Sequence, residues 1–413
     1  MSRRRAVITG VGPLCCIGEG REQLLDSLVN HRSGIGELKC FPTDGLGVKA
    51  HCAGAMPDFD PGRYMSPKQV KRLDRYAQMA VASARLALAD AGWEVDPGEP
   101  QLRTGVSFGT ALAGIANAEE QHRKFVESGP RAVNPLIGVQ IFGGSAHSNI
   151  AIAFGLRGPG TTNSNSCASG TIAVGDALRW IQSGIADVVV AGGAETPLQP
   201  LTFSAFDFIN TMSRADPPQS CRPFDARRDG FVMGEGAASL IVEEYGHARA
   251  RGARIYAELL GYSFNNDAYH MTSPLPDGEA AIRCMRHALD DAGLDPTRID
   301  YINGHASSTQ VNDATETLAV KAVFGEHARR LALSGTKAYT AHPLGATGAI
   351  EAAICCLAIS EGFLPPTLHY SEPDPSCDLD VVPNVCREAQ PRGVLSNSFG
   401  FGGINSSIVL GRV

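Results

Sequence analysis

The chain has 413 residues, too many for one small core, and its 43% hydrophobic and 19% charged residues are the balance of an ordinary globular protein. A formal net charge of −7 excludes a general nucleic-acid binder, which needs a basic excess, though not a local basic patch. The eleven cysteines include two adjacent pairs, Cys15-Cys16 and Cys355-Cys356, and no C-x-x-C, so neither a zinc site nor a disulfide framework is expected.

An arginine run, Arg3-Arg4-Arg5, leads straight into a strand-like Ala6-Val7-Ile8-Thr9-Gly10. With no leader-like segment, the odd number of thiols reads as reduced and cytoplasmic. Short apolar strands then alternate with helical patterns, the signature of a layered α/β fold. Ala87-Leu88-Ala89-Asp90-Ala91-Gly92 ends a helix at a glycine cap, and a strand follows at 104–109. The run Asn163-Ser164-Asn165-Ser166-Cys167-Ala168-Ser169-Gly170 is a turn opening a helix that puts Val174, Ala177, Leu178 and Ile181 on one face and stops at Gly184. A strand at 187–191 and Gly192-Gly193 come next.

An Arg-rich stretch at 247–254 marks a boundary between two halves, 1–250 and 251–413, because the earlier pattern now returns. Ala288-Leu289-Asp290-Asp291-Ala292-Gly293 echoes the first glycine-capped helix at an offset of 201 (288 − 87), with a strand at 299–304 behind it. Residues 337–359 again form a turn opening a helix, with Ile350, Ile354 and Leu357 on one face, and 393–397 leads to a glycine-rich stretch at 400–403. The most apolar helix, about 345–360, carries Glu351 and several glycines. It is shorter than the roughly 20 residues of a membrane span and is expected in the core.

Three places carry chemistry. Cys167 stands at the head of a helix, where the positive end of the macrodipole and unpaired N–H groups favour thiolate, although a small buried residue at a tight turn has the same local pattern. His305 follows the strand at 299–303, and His342 precedes the apolar helix. Both emerge at the ends of core elements, where α/β folds build sites and a neutral imidazole can donate to an oxyanion or accept a proton. Histidines so placed are also common as structural residues. Ser396-Asn397-Ser398-Phe399-Gly400-Phe401-Gly402-Gly403-Ile404-Asn405 is a strand ending in a glycine-rich loop whose backbone can approach a ligand. It lacks the helix that a phosphate-binding fingerprint requires.

Together these motifs resemble the β-ketoacyl-ACP synthases of the thiolase superfamily, most closely the elongating synthase II type, over nearly the whole chain. The resemblance is carried also by Arg222-Pro223-Phe224-Asp225, by Arg228-Asp229-Gly230-Phe231-Val232-Met233-Gly234-Glu235-Gly236-Ala237 and by Asp267-Ala268-Tyr269-His270-Met271-Thr272-Ser273-Pro274. It implies a duplicated, five-layered αβαβα thiolase fold, a homodimer (or a heterodimer), and a Cys-His-His triad of Cys167, His305 and His342. By the same resemblance Lys337 pairs with Glu316 behind the histidines. The N–H groups of Cys167 and Phe401 form the oxyanion hole, Phe401 gates the nucleophile and Leu112 faces the acyl pocket. Ser307, Thr309 and Thr272 contact the substrate arm.

The implied reaction is a decarboxylative condensation of malonyl-carrier with an acyl group on Cys167. It needs neither metal nor redox cofactor, since the substrates ride on the phosphopantetheine of an acyl carrier protein. Lys68, Lys71, Arg72 and Arg214 are the implied docking face for that acidic partner; no nucleic acid and no membrane are expected as partners.

The sequence departs from the family pattern at Asn165-Ser166 before the nucleophile, at Ala306 and Gln310 in the first histidine motif and at Ile404 in the glycine-rich loop, which implies a specialised acyl pocket or carrier. A thiolase would place a second cysteine in 400–405, and an initiating synthase would have Asn in place of His342; neither is found. A type II polyketide ketosynthase, paired with a chain-length-factor subunit or not, remains the alternative, followed by a non-elongating carrier-binding subunit.

Overall fold

The computed structural model describes residues 3–95, 98 and 100–413. Ten strands build the body of the protein: β1 (Ala6–Cys15), β2 (Thr104–Gly109), β3 (Gly160–Asn163), β4 (Val188–Glu195), β5 (Gly236–Glu244), β6 (Ala257–Asn266), β7 (Tyr301–Asn303), β8 (Ala332–Ser334), β9 (Gly393–Gly400) and β10 (Ile404–Gly411). Their spatial order is β3-β2-β4-β5-β1-β6-β10-β9-β7-β8. Counted outward from the β1–β6 junction, each half runs first strand, last, next-to-last, second, third. The pairings repeat as well: β2 is parallel to β3 and β4 as β7 is to β8 and β9, and the other contacts are antiparallel. The halves join where Ala6, Val7 and Ile8 pair with Leu259, Glu258 and Ala257.

The first sequence echo has a steric cause. Helix α1 (Arg75–Asp90), capped by Asp74 accepting from the Ala77 N–H, lies on β1, and α3 (Glu279–Ala292) lies on β6. A methyl group added at Gly10 would come within 2.3 Å of the Ala87 carbonyl oxygen, and one at Gly261 within 2.3 Å of the Ala288 oxygen. Glycine on the strand and alanine on the helix let the backbones touch in both halves.

The second echo forms the middle of the molecule. Helices α2 (Ser169–Gln182) and α5 (Thr347–Glu361) pack against each other and contact strands of both halves. With α1 on one outer face, and α3 and α4 (Gln310–Phe324) on the other, this is the five-layered αβαβα arrangement of the thiolase fold. Burial from both sides explains why the one-face reading of these helices falls short: thirteen of the fifteen α5 residues are buried. Against the expectation that this stretch is too short, the segment Leu344–Glu361 is long and apolar enough to cross a bilayer by length and composition, but it is 89% buried inside the protein.

Helix α2 and helix α5 meet at their N-termini. A side chain at Gly170 would lie 2.8 Å from the Ala349 nitrogen, and one at Gly348 would lie 2.0 Å from Thr171 Oγ1. Two single turns, Ser166–Ala168 before α2 and Leu344–Ala346 before α5, are thereby brought together.

Candidate active site

That contact places Cys167 beside His342, with Sγ 3.2 Å from Nε2. Cys167 sits in the Ser166–Ala168 turn on a backbone forced by Ser166, whose φ is +53°. His342 is fixed by its N–H, which donates to Val232 O at 2.7 Å, and by its carbonyl, which accepts from Gly234 N–H at 3.1 Å. Its Nδ1 meets Thr347 Oγ1 at 2.9 Å, and its ring packs edge-on against Phe231 at 5.4 Å.

His305 comes from the end of β7, and its ring lies 5.4 Å from that of His342, nearly perpendicular. The turn that delivers it is held by Glu316 on α4, whose carboxylate accepts the N–H groups of His305 (2.9 Å) and Ala306 (2.8 Å) and the Asn397 amide (3.2 Å). This corrects the expected pairing of Glu316 with Lys337. Both oxygens of Glu316 are occupied by the histidine turn, whereas the fully buried Lys337 ammonium donates to Glu351 Oε1 at 2.6 Å, to His305 O, and toward His305 Nδ1 at 3.4 Å. Glu351 is the residue that sequence reasoning missed. A lone carboxylate in an otherwise apolar helix was the available signal, because a buried charge needs a partner.

The electrostatics favour neutral groups at rest. Burial pushes the Cys167 thiol above its ordinary value, against the opposing effects of the Ser166 hydroxyl, the Lys337 charge and the Phe401 N–H. The expected thiolate at a helix head is therefore outweighed by desolvation. Burial first, then the Lys337 ammonium, holds both His305 and His342 well below the ordinary histidine range. With the ammonium facing Nδ1, the proton of neutral His305 resides on Nε2. Burial also raises the Glu351 carboxyl, with Lys337 opposing.

The glycine-rich stretch is the tip of the β9–β10 hairpin, and it lies on the nucleophile's turn. A methyl group at Gly400 would sit 3.1 Å from the Cys167 nitrogen. The Phe401 N–H is one of the groups that oppose the upward shift of the Cys167 thiol, and the Phe401 ring stacks on Phe206 at 6.2 Å, a partner without a sequence motif of its own. Leu112 packs in the same apolar cluster as Cys167, Leu344, Phe203 and Phe231. Its N–H, with those of Ala111 and Gly345, is held by the buried Glu195 carboxylate, itself raised to about 7 by burial.

One cavity of about 370 Å³ opens over Cys167, His305 and His342. Thr272, Ser307, Thr309 and Phe401 line it too, the Ser307 and Thr309 hydroxyls lying 2.9 Å apart. Arg214 is exposed beside it: its guanidinium donates to Asn210 and its N–H to Asp229, both cavity-lining residues. Lys68, Lys71 and Arg72 are exposed on the helix Pro67–Arg72, form no ion pair among the described residues, and do not line the cavity. No cluster of three or more metal-ligating side chains is found among the described residues.

Comparison with known proteins agrees with this geometry. The family profile of the β-ketoacyl synthase N-terminal domain matches residues 3–248, and that of the C-terminal domain matches residues 256–371. The chain is 40% identical over 415 residues to the 3-oxoacyl-[acyl-carrier-protein] synthase 2 of Coxiella burnetii, covering 100% of both chains. It is 39% identical to the enzyme of that name from Staphylococcus aureus (strain COL), covering 98% of each. Among solved structures it resembles a type II polyketide ketosynthase solved with its acyl-carrier protein (TM-score 0.92, 34% identity, full coverage of both chains). It also resembles the ishigamide ketosynthase/chain length factor (TM-score 0.93, 36% identity, full coverage of both). By sequence, fold and the constellation around Cys167, this chain belongs to the β-ketoacyl synthase family.

Proposed function

We propose that the protein is an elongating 3-oxoacyl-[acyl-carrier-protein] synthase that carries its acyl group as a thioester on Cys167. The observation that carries this reading is the 3.2 Å contact of Cys167 Sγ with His342 Nε2, next to a second neutral imidazole over the same cavity. In the first half-reaction the thiol gives its proton to His342 Nε2 as sulfur attacks the carrier thioester. The oxyanion accepts from the Cys167 and Phe401 N–H groups, and collapse expels the carrier thiolate, which takes the proton.

Malonyl-carrier then loses carbon dioxide, and its electron pair becomes an enolate whose oxygen accepts from Nε2–H of His305 and of His342, the latter now in its other neutral tautomer with Nδ1 accepting from the Thr347 hydroxyl. The enolate carbon attacks the Cys167 thioester, expelling the Cys167 thiolate, which takes up one proton from solvent, and releasing 3-oxoacyl-carrier. Loss of carbon dioxide drives bond formation, so the reaction calls for no metal or redox cofactor. The Ser307 and Thr309 hydroxyls suit the amide groups of a phosphopantetheine arm threading the cavity.

The carrier protein is acidic in this reading, and Arg214 with Lys68, Lys71 and Arg72 would receive it. A homodimer is supported by β3, a sheet edge unpaired on one side among the described residues, beside the exposed apolar Ile152 (75% exposed) and Phe142 (48%). The unpaired thiols, most of them buried, suit a reducing cytosol. The two halves 1–250 and 251–413 are best regarded as one duplicated unit.

A type II polyketide role is the second reading, favoured by the whole-chain likeness to the ketosynthases named above. Incubation with a panel of acyl-carriers followed by intact-mass measurement tests the proposal. Acylation of wild-type but not Cys167→Ala protein, with one extension on adding malonyl-carrier, supports it. Repeated unreduced extension supports the polyketide reading, and absence of any acyl adduct overturns both.

A further inference from the structure

The residue before the nucleophile is a serine, and its placement goes beyond a turn-former. Ser166 holds a φ of +53°, the left-handed backbone that a serine seldom adopts, directly before the nucleophile. Its hydroxyl lies 3.8 Å from Cys167 Sγ, within reach of a sulfur-accepted hydrogen bond. A methyl group at Gly400 would fall 3.2 Å from Ser166 Cβ and 3.4 Å from Oγ, so the serine is wedged under the hairpin that supplies the Phe401 N–H. Its own carbonyl is fixed by Ser169 Oγ at 2.8 Å, and the preceding Asn165 N–H donates to the same Ser169 oxygen at 2.7 Å. The side chain is half-buried and its backbone is anchored on both sides.

We propose that Ser166 is a catalytic hydrogen-bond donor to the reacting sulfur, one that tunes the nucleophile for acyl loading. Resting on the synthase reading above, it adds a residue to the site. The donation strengthens as sulfur becomes anionic, because a charged acceptor binds a hydroxyl more tightly than a thiol does. Its chemical value is set by burial, which otherwise disfavours the thiolate and which the Ser166 hydroxyl opposes. The Ser166 proton stays on its oxygen throughout; the thiol proton goes to His342 Nε2. Once the thioester forms, sulfur is a poor acceptor, so the hydroxyl contributes to loading and again when condensation expels the Cys167 thiolate. Decarboxylation of malonyl-carrier, which relies on the two imidazoles, does not use it.

The test is the pH dependence of Cys167 alkylation by iodoacetamide, followed by intact mass in wild type, Ser166→Ala and Ser166→Gly. Alanine removes only the hydroxyl, whereas glycine removes it and relieves the left-handed backbone as well. Loss of one hydrogen bond to sulfur should slow alkylation at pH 7 roughly threefold to tenfold in both variants and move its midpoint to higher pH. Acyl loading should slow by a similar factor while malonyl-carrier decarboxylation keeps its rate. An unchanged midpoint in both variants overturns the proposal, and so does a shift in only one, which would assign the effect to the backbone. Alkylation needs no carrier substrate, so a protein that shifts as expected yet never condenses malonyl-carrier refutes the synthase function and leaves the Ser166–Cys167 contact standing.

Discussion

The buried ion pair behind the histidines makes the sharpest demand on experiment. Lys337 and Glu351 are 0% and 1% exposed and 2.6 Å apart, so deleting one charge strands the other in a medium that cannot solvate it. Glu351→Gln should therefore cost about 3–5 kcal/mol of folding stability. Glu316→Gln keeps one carbonyl acceptor for the His305 turn but turns an amide toward a second N–H, and should cost about 1–3 kcal/mol.

The decisive quantity is the coupling. In double-mutant cycles with Lys337→Met, read by urea unfolding, Lys337 and Glu351 should couple by at least about 2 kcal/mol and Lys337 and Glu316 by less than about 1 kcal/mol. Lys337→Met should also slow malonyl-carrier decarboxylation, since the tautomer of His305 is no longer set by a cation at Nδ1. Stronger coupling to Glu316 than to Glu351 would refute the arrangement of charges described here.

Three further outcomes are expected. Gly400→Ala suits the strand backbone but puts a methyl group 3.1 Å from the Cys167 nitrogen, so acyl loading measured by intact mass should fall roughly tenfold or more with stability little changed; a normal loading rate would contradict the close approach of hairpin and nucleophile. Charge reversal at Lys68, Lys71 and Arg72 together should raise KM for carrier-bound substrates several-fold at unchanged kcat, and an unaltered KM removes that helix from the docking face. Both site imidazoles are held low in the folded chain, so below about pH 6.5 the unfolded chain binds more protons and stability falls with pH, by up to about 1.4 kcal/mol per pH unit for each ring. His305→Asn should flatten that acid limb in urea unfolding, and an unchanged limb would show that the ring is not buried neutral.

What could be read from the sequence followed from local chemistry repeated twice. The glycine-capped helix endings at Ala87–Gly92 and Ala288–Gly293 were visible because each must press alanine onto a strand glycine, and that requirement leaves a mark in both halves. Cys167, His305 and His342 were legible because each stands at the boundary of a periodic element. The partner of Lys337 was not, since the choice between Glu316 and Glu351 depends on which carboxylate is already engaged by backbone N–H groups, a tertiary fact. The Phe206–Phe401 stack was equally hidden, because it joins a helix and a hairpin nearly two hundred residues apart with no periodic signal in either. The thiolate expectation failed for a related reason: a helix terminus is visible in a string of residues, but the low dielectric around it is not.

The meeting of the two helix heads makes the duplicated architecture single-headed. By position in its turn, Gly345 is the second half's counterpart of Cys167, yet a side chain there would collide with the Ala111 nitrogen at 2.3 Å. The vacated head cannot be rearmed by a one-residue change to cysteine: its space has been ceded to the loop that carries Leu112. The symmetry of the scaffold thus ends at the reaction centre, where one copy contributes the sulfur and the other has become the mould in which that sulfur is held.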